Sequence, residues 1–94
     1  MNEVEIFFLN KAVEKAGLFL YNKSDALDFI KECRKRKIVI LGVDGFKVSE
    51  NCILPLIEES IDISLDPFNE RSYEVLFGFL TKRDDYIFFE IVCA

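Results

Sequence analysis

The sequence predicts an α+β fold, with three helices packed on a mostly antiparallel sheet of four to five strands. Three observations point to that class. Tyr73, Leu76, Phe77 and Leu80 recur at helical spacing and define an amphipathic face. Ile38–Val43 is an unbroken apolar run rich in β-branched residues, as in a strand covered on both faces. Helical and strand patterns are segregated in the order α-α-β-β-β-(β)-α-β instead of alternating, which favours helices gathered on a sheet. At 94 residues the chain is read as a single domain, residues 1–94. A chain this short buries only about two-thirds of its unfolded surface, so its core must be dense. Ten Phe within a 51% hydrophobic composition supply the material, and four Gly with two Pro leave little for long loops.

In the first segment, Leu9, Ala12, Val13 and Ala16 fit a helix over Val4–Ala16 that stops at Gly17. The front end, Val4–Phe8, also has strand character. Leu18–Tyr21 reads as a short apolar connector. Ser24 is the expected cap of a second helix running to about Arg36, with Ala26, Leu27, Ile30 and Cys33 as its buried stripe. Asp25 and Asp28 lie near its positive end, and Arg34 to Lys37 near its negative end.

The apolar strand follows at Ile38–Val43, and Asp44-Gly45 reads as a tight turn. Phe46–Ser49 alternates as a half-buried strand. A turn at Ser49–Asn51 leads to Cys52–Ile57, where Pro55 marks an edge. Residues 58–68 read as a loop holding a short strand at Ile61–Leu65. The third helix is expected from about Asn69 to Lys82, broken by Arg83-Asp84-Asp85. Tyr86–Val92 is then a final strand, central because large residues occupy both faces.

Composition excludes several classes. No apolar stretch reaches the roughly 18 residues a membrane span needs. The opening Met1-Asn2-Glu3-Val4-Glu5 is acidic where a secretory signal is basic. Cys33, Cys52 and Cys93 are odd in number, widely spaced and lie beside apolar runs, so they read as reduced packing residues. Without His, three lone Cys do not complete a structural zinc shell. The expectation is a cytoplasmic protein with no cofactor and no metal.

The absence of His also removes the usual general base near neutral pH. No glycine-rich phosphate loop occurs. Glu58-Glu59 and Asp84-Asp85 are the only adjacent acidic pairs, and because adjacent residues point apart neither reads as a cation site. The chain is therefore read as not an enzyme.

Charge is unevenly spread over the net −5. Residues 23–43 carry a net +3, whereas residues 44–74 carry −6 through Asp44, Glu50, Glu58, Glu59, Asp62, Asp66, Glu70 and Glu74 against two basic groups. Such a segment is either a solvated, salt-bridged face or an acidic patch presented to a basic partner. The overall acidity, pI about 4.7, opposes a nucleic-acid partner.

Ala16-Gly17-Leu18, Asn22-Lys23-Ser24-Asp25-Ala26-Leu27 and Ile38–Val48 together resemble a bacterial immunity-protein family, Immunity protein 40. Its mark is an Ala-Leu helix followed by an apolar strand ending in Gly-Gly-Asp-Val-Tyr. The resemblance covers about residues 9–57. Val43 stands for the second Gly of that motif, Gly45-Phe46 for its Val-Tyr, and the Trp after the connector is absent.

The resemblance implies an immunity protein of a polymorphic or contact-dependent growth inhibition system. Such a protein binds the C-terminal domain of its cognate toxin, in many cases a nuclease with a basic cleft. On that reading the toxin-binding residues are Asp44, Phe46, Glu50, Glu58, Glu59, Asp62, Asp66, Phe68, Glu70 and Tyr73, with Phe46, Phe68 and Tyr73 as aromatic anchors. The plainer roles are a turn residue for Asp44 and a cap or turn before Pro67 for Asp66. The expected state is a monomer or weak homodimer. The alternative is a non-catalytic regulatory or scaffolding subunit that self-associates or binds another protein.

Overall fold

A computed structural model describes residues Met1 to Ala94. The elements in order are α1 (Glu3–Phe7), a 3-10 turn (Leu9–Lys11), β1 (Val13–Lys15), β2 (Leu18–Leu20), α2 (Lys23–Arg36), β3 (Ile40–Val48), β4 (Ile53–Asp62), α3 (Ser72–Thr81) and β5 (Phe88–Cys93). Strands β4-β3-β5 form one antiparallel sheet and β1-β2 a separate hairpin. The α+β class is as the sequence predicts, with its five strands divided between two sheets.

The expected long first helix is instead a single turn. Asn2 Oδ1 accepts from Glu5 N, and Glu5 Oε1 accepts from Asn2 N, closing a capping box around α1. Val4 and Phe8, one turn apart, are the buried pair. Gly17 does not stop a helix. Ala16 (φ 52°) and Gly17 (φ 78°) are the two central residues of the β1–β2 hairpin turn, where both positions need positive φ. The apolar connector Leu18–Tyr21 is therefore mostly strand.

α2 begins two residues before the position that a Ser24 cap implies, because Asn22 accepts from Asp25 N at 2.8 Å. It ends at Arg36 with Lys37 in the left-handed conformation. Its buried stripe is Ala26, Phe29, Ile30 and Cys33.

Asp44-Gly45 is not a turn. β3 runs through it unbroken, pairing with β5 from Ile40 to Phe46. Gly45 serves a different need. Between the pairs Val43↔Ile61 and Gly45↔Leu56, β4 carries a bulge containing residues 57–60. Ser60 Oγ accepts from Gly45 N at 3.0 Å and donates to Leu56 O at 2.8 Å, stapling that bulge. A Cβ at Gly45 would collide with the Glu59 backbone carbonyl, and one at Gly42 would lie 2.7 Å from Ile61 O. Both glycines are there for this close approach.

The bulge also explains why residues 58–62 read as a loop: they break strand periodicity while still belonging to β4. Past it, Ile63 N donates to Leu41 O, and the expected short strand at 61–65 dissolves into the end of β4. The edge position implied by Pro55 holds, since β4 is outermost and Pro55 pairs with Phe46.

α3 starts at Ser72, after a turn in which Asn69 Oδ1 accepts from Arg71 N. β5, expected to be central, is the outer strand opposite β4. Its free edge is closed only at one point, where Tyr21 and Phe89 exchange two 2.8 Å backbone hydrogen bonds.

The core lies between the helices and one sheet face. Val43, Phe89 and Ile91 meet Ala26, Phe29 and Ile30 of α2 and Leu76 and Leu80 of α3. Phe29 anchors an aromatic cluster, with ring centroids 5.3 Å from Phe8 and 5.2 Å from Tyr21. Leu20 and Phe46 are buried outside this cluster. The C-terminal end of α3 is held by Lys23, whose Nζ donates to the carbonyls of Thr81 (3.0 Å) and Arg83 (2.8 Å).

Two outcomes follow for stability. Gly45→Ala should destabilise the protein by about 1–3 kcal/mol, because the obstacle is backbone and cannot swing aside; urea unfolding at constant m-value measures it. Lys23→Met should cost about 1–2 kcal/mol by leaving two helix-end carbonyls without their charged donor. The corresponding loss of hydrogen-exchange protection should concentrate in the last turn of α3.

Candidate protein-binding surface

Of the acidic segment 44–74 only Glu74 pairs with the basic end of α2. Arg36 bonds Glu3 at 3.1 Å and Glu32 at 3.5 Å, Lys35 bonds Glu32 at 3.3 Å, and Arg34 reaches Glu74 at 3.6 Å. The cluster Arg34 to Arg36 is thus answered by carboxylates of α1, α2 and α3. Of the candidate acidic residues only Glu59 is engaged, by Arg83 at 3.3 Å. Arg83 in turn stacks over the Phe79 ring at 4.3 Å, so this pair fastens the β4 bulge to the end of α3. Asp44, Glu50, Glu58, Asp62, Asp66 and Glu70 form no ion pair.

Five of these six occupy two neighbouring regions, and Glu50 stands apart. The first is the sheet face turned away from the core. Gly42 pairs with Asp62 on one side and Val92 on the other, and Asp44 pairs with Glu90, so Asp44, Asp62 and Glu90 share that face. A depression of about 250 Å³ there is lined by Leu41, Gly42, Asp44, Asp62, Ser64 and Val92.

Burial, and then the nearby Asp44 charge, push the Glu90 carboxyl above the ordinary glutamate range. Asp62 moves the other way, held low by hydrogen bonds from the Ser64 side chain and amide. Glu50 lies apart, in the β3–β4 turn, where Lys15 Nζ donates to the Ser49 and Glu50 carbonyls.

The second region is the bulge and the connection to α3. Glu58 points to solvent beside Ile57, which is 87% exposed, and Asp66 and Glu70 flank Leu65 and Phe68, 102% and 79% exposed. The loop is braced from within: Asn69 Nδ2 donates to Asp66 Oδ2, and Ser72 Oγ donates to Asp66 O. Asp66 is therefore a turn residue, as its place before Pro67 implies. A second depression, about 260 Å³, is lined by Ile63, Leu65, Asp66, Asn69, Ser72 and Val75, with Arg71 as its one basic side chain.

Two expected anchors have other work. Phe46 is only 6% exposed and offers nothing to a partner. Tyr73 is half-buried and donates its hydroxyl to Ile38 O at 2.8 Å, tying α3 to the entry of β3. Phe68 alone of the three aromatics is free. Ile57, Leu65 and Glu90 are surface features that the sequence reading passed over. For Ile57 a signal existed: Leu54-Pro55-Leu56-Ile57 is more apolar than an edge strand can bury. Glu90 required the β3–β5 register.

No family model, curated protein or solved structure matches this chain. No helix is long and apolar enough to cross a membrane. No three Cys, Asp or Glu side chains converge as metal ligands.

The raised Glu90 sets a pH dependence. A carboxyl whose folded pKa exceeds its unfolded value binds its proton more tightly when folded, so its contribution to stability falls as pH rises between the two. Glu90→Gln should therefore stabilise the protein at neutral pH. Its advantage should shrink as pH falls through the raised value toward the ordinary range near about 4.3. Thermal midpoints of both chains across that range measure it; a constant difference would disprove the assignment.

Proposed function

We propose that this chain is an immunity protein: it binds a cognate bacterial toxin domain, a basic nuclease, and neutralises it by masking the active-site cleft with the acidic surface around β4. The observation that carries the reading is that Asp44, Glu58, Asp62, Asp66 and Glu70 are left without basic partners, while Ile57, Leu65 and Phe68 stand exposed among them. Unpaired carboxylates steer a basic partner and raise its association rate. Exposed apolar side chains inside a charged rim supply the contact that holds it.

The resemblance of residues 9–57 to the Immunity protein 40 family supports the same reading. Those residues build the hairpin turn, α2 and β3, which form the scaffold carrying the acidic face. Protection of the producing cell places the protein in the cytoplasm. It acts without a cofactor, and neither nucleic acid nor membrane is its partner.

The test is co-purification with the tagged chain at low salt, followed by co-expression with the C-terminal domain of any large secreted protein recovered. Growth should be restored and a one-to-one complex recovered. The double variant Glu58→Lys, Glu70→Lys, at exposed side chains that make no hydrogen bond or ion pair, should slow association by at least about tenfold with an unchanged thermal midpoint. Failure to protect, together with a concentration-dependent dimer broken by Ile57→Lys, would replace this reading with a self-associating regulatory or scaffolding subunit.

A further inference from the structure

Two of the three thiols meet at the edge of the core. Cys33 lies in the last turns of α2, fully buried, and its carbonyl accepts from Ile38 N at 2.9 Å. The chain then passes directly into β3, where Ile40 pairs with Cys93 and Val39 O accepts from Ala94 N at 2.9 Å. This junction brings the end of α2 against the end of β5. Cys93 packs against the core cluster that contains Cys33 and is only partly buried, and each of the two sulfurs shifts the other's proton affinity. Cys52 is elsewhere, exposed in the β3–β4 turn with its sulfur 3.2 Å from Ser49 Oγ.

We propose that Cys33 and Cys93 form a redox modification site: met by a hydroperoxide, they close into an intramolecular disulfide that ties α2 to β5. The two sulfurs have different roles. Cys33 is fully buried, and the neighbouring Cys93 and burial push its thiol up. Cys93 is only partly buried and Cys33 favours its thiolate, so Cys93 is the sulfur a peroxide meets. Burial and the Glu5 charge oppose that thiolate without reversing the direction.

The Cys93 thiolate attacks the peroxide. An S–O bond forms, the O–O bond breaks, and the departing hydroxide becomes water with the proton Cys93 has given up. The Cys33 sulfur then attacks the sulfenic sulfur. The S–S bond forms, the S–O bond breaks, and the second hydroxide leaves as water with the Cys33 proton. Two thiols lose two electrons and one peroxide becomes two waters. A dithiol reductant reverses the closure by exchange.

The experiment uses the full-length chain carrying Cys52→Ala, which removes the exposed thiol and leaves the core intact. It is treated with one equivalent of hydrogen peroxide, then denatured and alkylated. The expected product is a monomer about 2 Da lighter that takes up no alkylating reagent. Its thermal midpoint should rise by at least about 5 °C and return on adding dithiothreitol. Cys33→Ala in the same background should instead hold a sulfenic acid at Cys93 that dimedone traps. Two alkylatable thiols after peroxide, a disulfide found only between chains, or accumulation of sulfinic acid would each overturn the proposal. Intact mass of the Cys52→Ala chain decides the matter even if Cys33→Ala does not fold.

Discussion

The approach of the β4 backbone to β3 at Gly42 and Gly45 is the constraint on which the arrangement of this molecule turns. With no Cβ at either position, β4 bulges inward until the Glu59 carbonyl lies over Gly45, and Ser60 fills the broken ladder with two hydrogen bonds. Glu59 is thereby aimed at Arg83, and the sheet becomes attached to the end of α3. The same excursion leaves Ile57 and Glu58 outside. A bulge that makes a strand edge irregular also discourages pairing with a second sheet, so β4 gives up a flat edge and gains a displayed loop.

Around that constraint the helices are held by few but specific contacts. Lys23, at the first turn of α2, caps the last turn of α3, and the Tyr73 hydroxyl reaches from the first turn of α3 to Ile38, two residues past the end of α2. The pair is therefore tied at both ends, while Ala26, Ile30, Leu76 and Leu80 fill the middle. Phe29 with Phe8 and Tyr21 extends this core to α1 and to the strand that guards the edge of β5. Every buried polar side-chain atom is hydrogen-bonded, so the small core bears no desolvation cost from unpaired groups.

The division of charge follows from the same packing. Helix α2 directs its basic end at Glu3, Glu32 and Glu74, all on helices. These pairs are exposed and each adds little to stability. Their consequence is one of placement: basic groups are used on the helical side, and, Glu59 apart, the carboxylates on β4 and the loop after it are left unanswered. The carboxylates there are well hydrated, but the exposed Ile57, Leu65 and Phe68 among them are costly to keep in water. That cost is the physical ground for expecting a partner.

Local chemistry made much of this legible in the sequence. The stripes of α2 and α3, save that Phe29 takes the buried place expected of Leu27, the Ser49–Asn51 turn, the edge position from Pro55 and the acidic character of residues 44–74 each depend on near neighbours and read directly. Asp44-Gly45 was illegible, because the pair fits a turn and a strand equally well. Only the approach of Glu59, remote in sequence, decides between them. The first segment failed likewise: helical spacing from Val4 to Ala16 lost to a hairpin whose value lies in seating Leu20 and Tyr21. Sequence determined which side chains were apolar, acidic or turn-forming. Tertiary structure alone decided that Phe46 and Tyr73 serve the fold, that Glu59 is spent on Arg83, and that Glu90 joins Asp44, because burial and ion pairing are properties of residues brought together from distant parts of the chain.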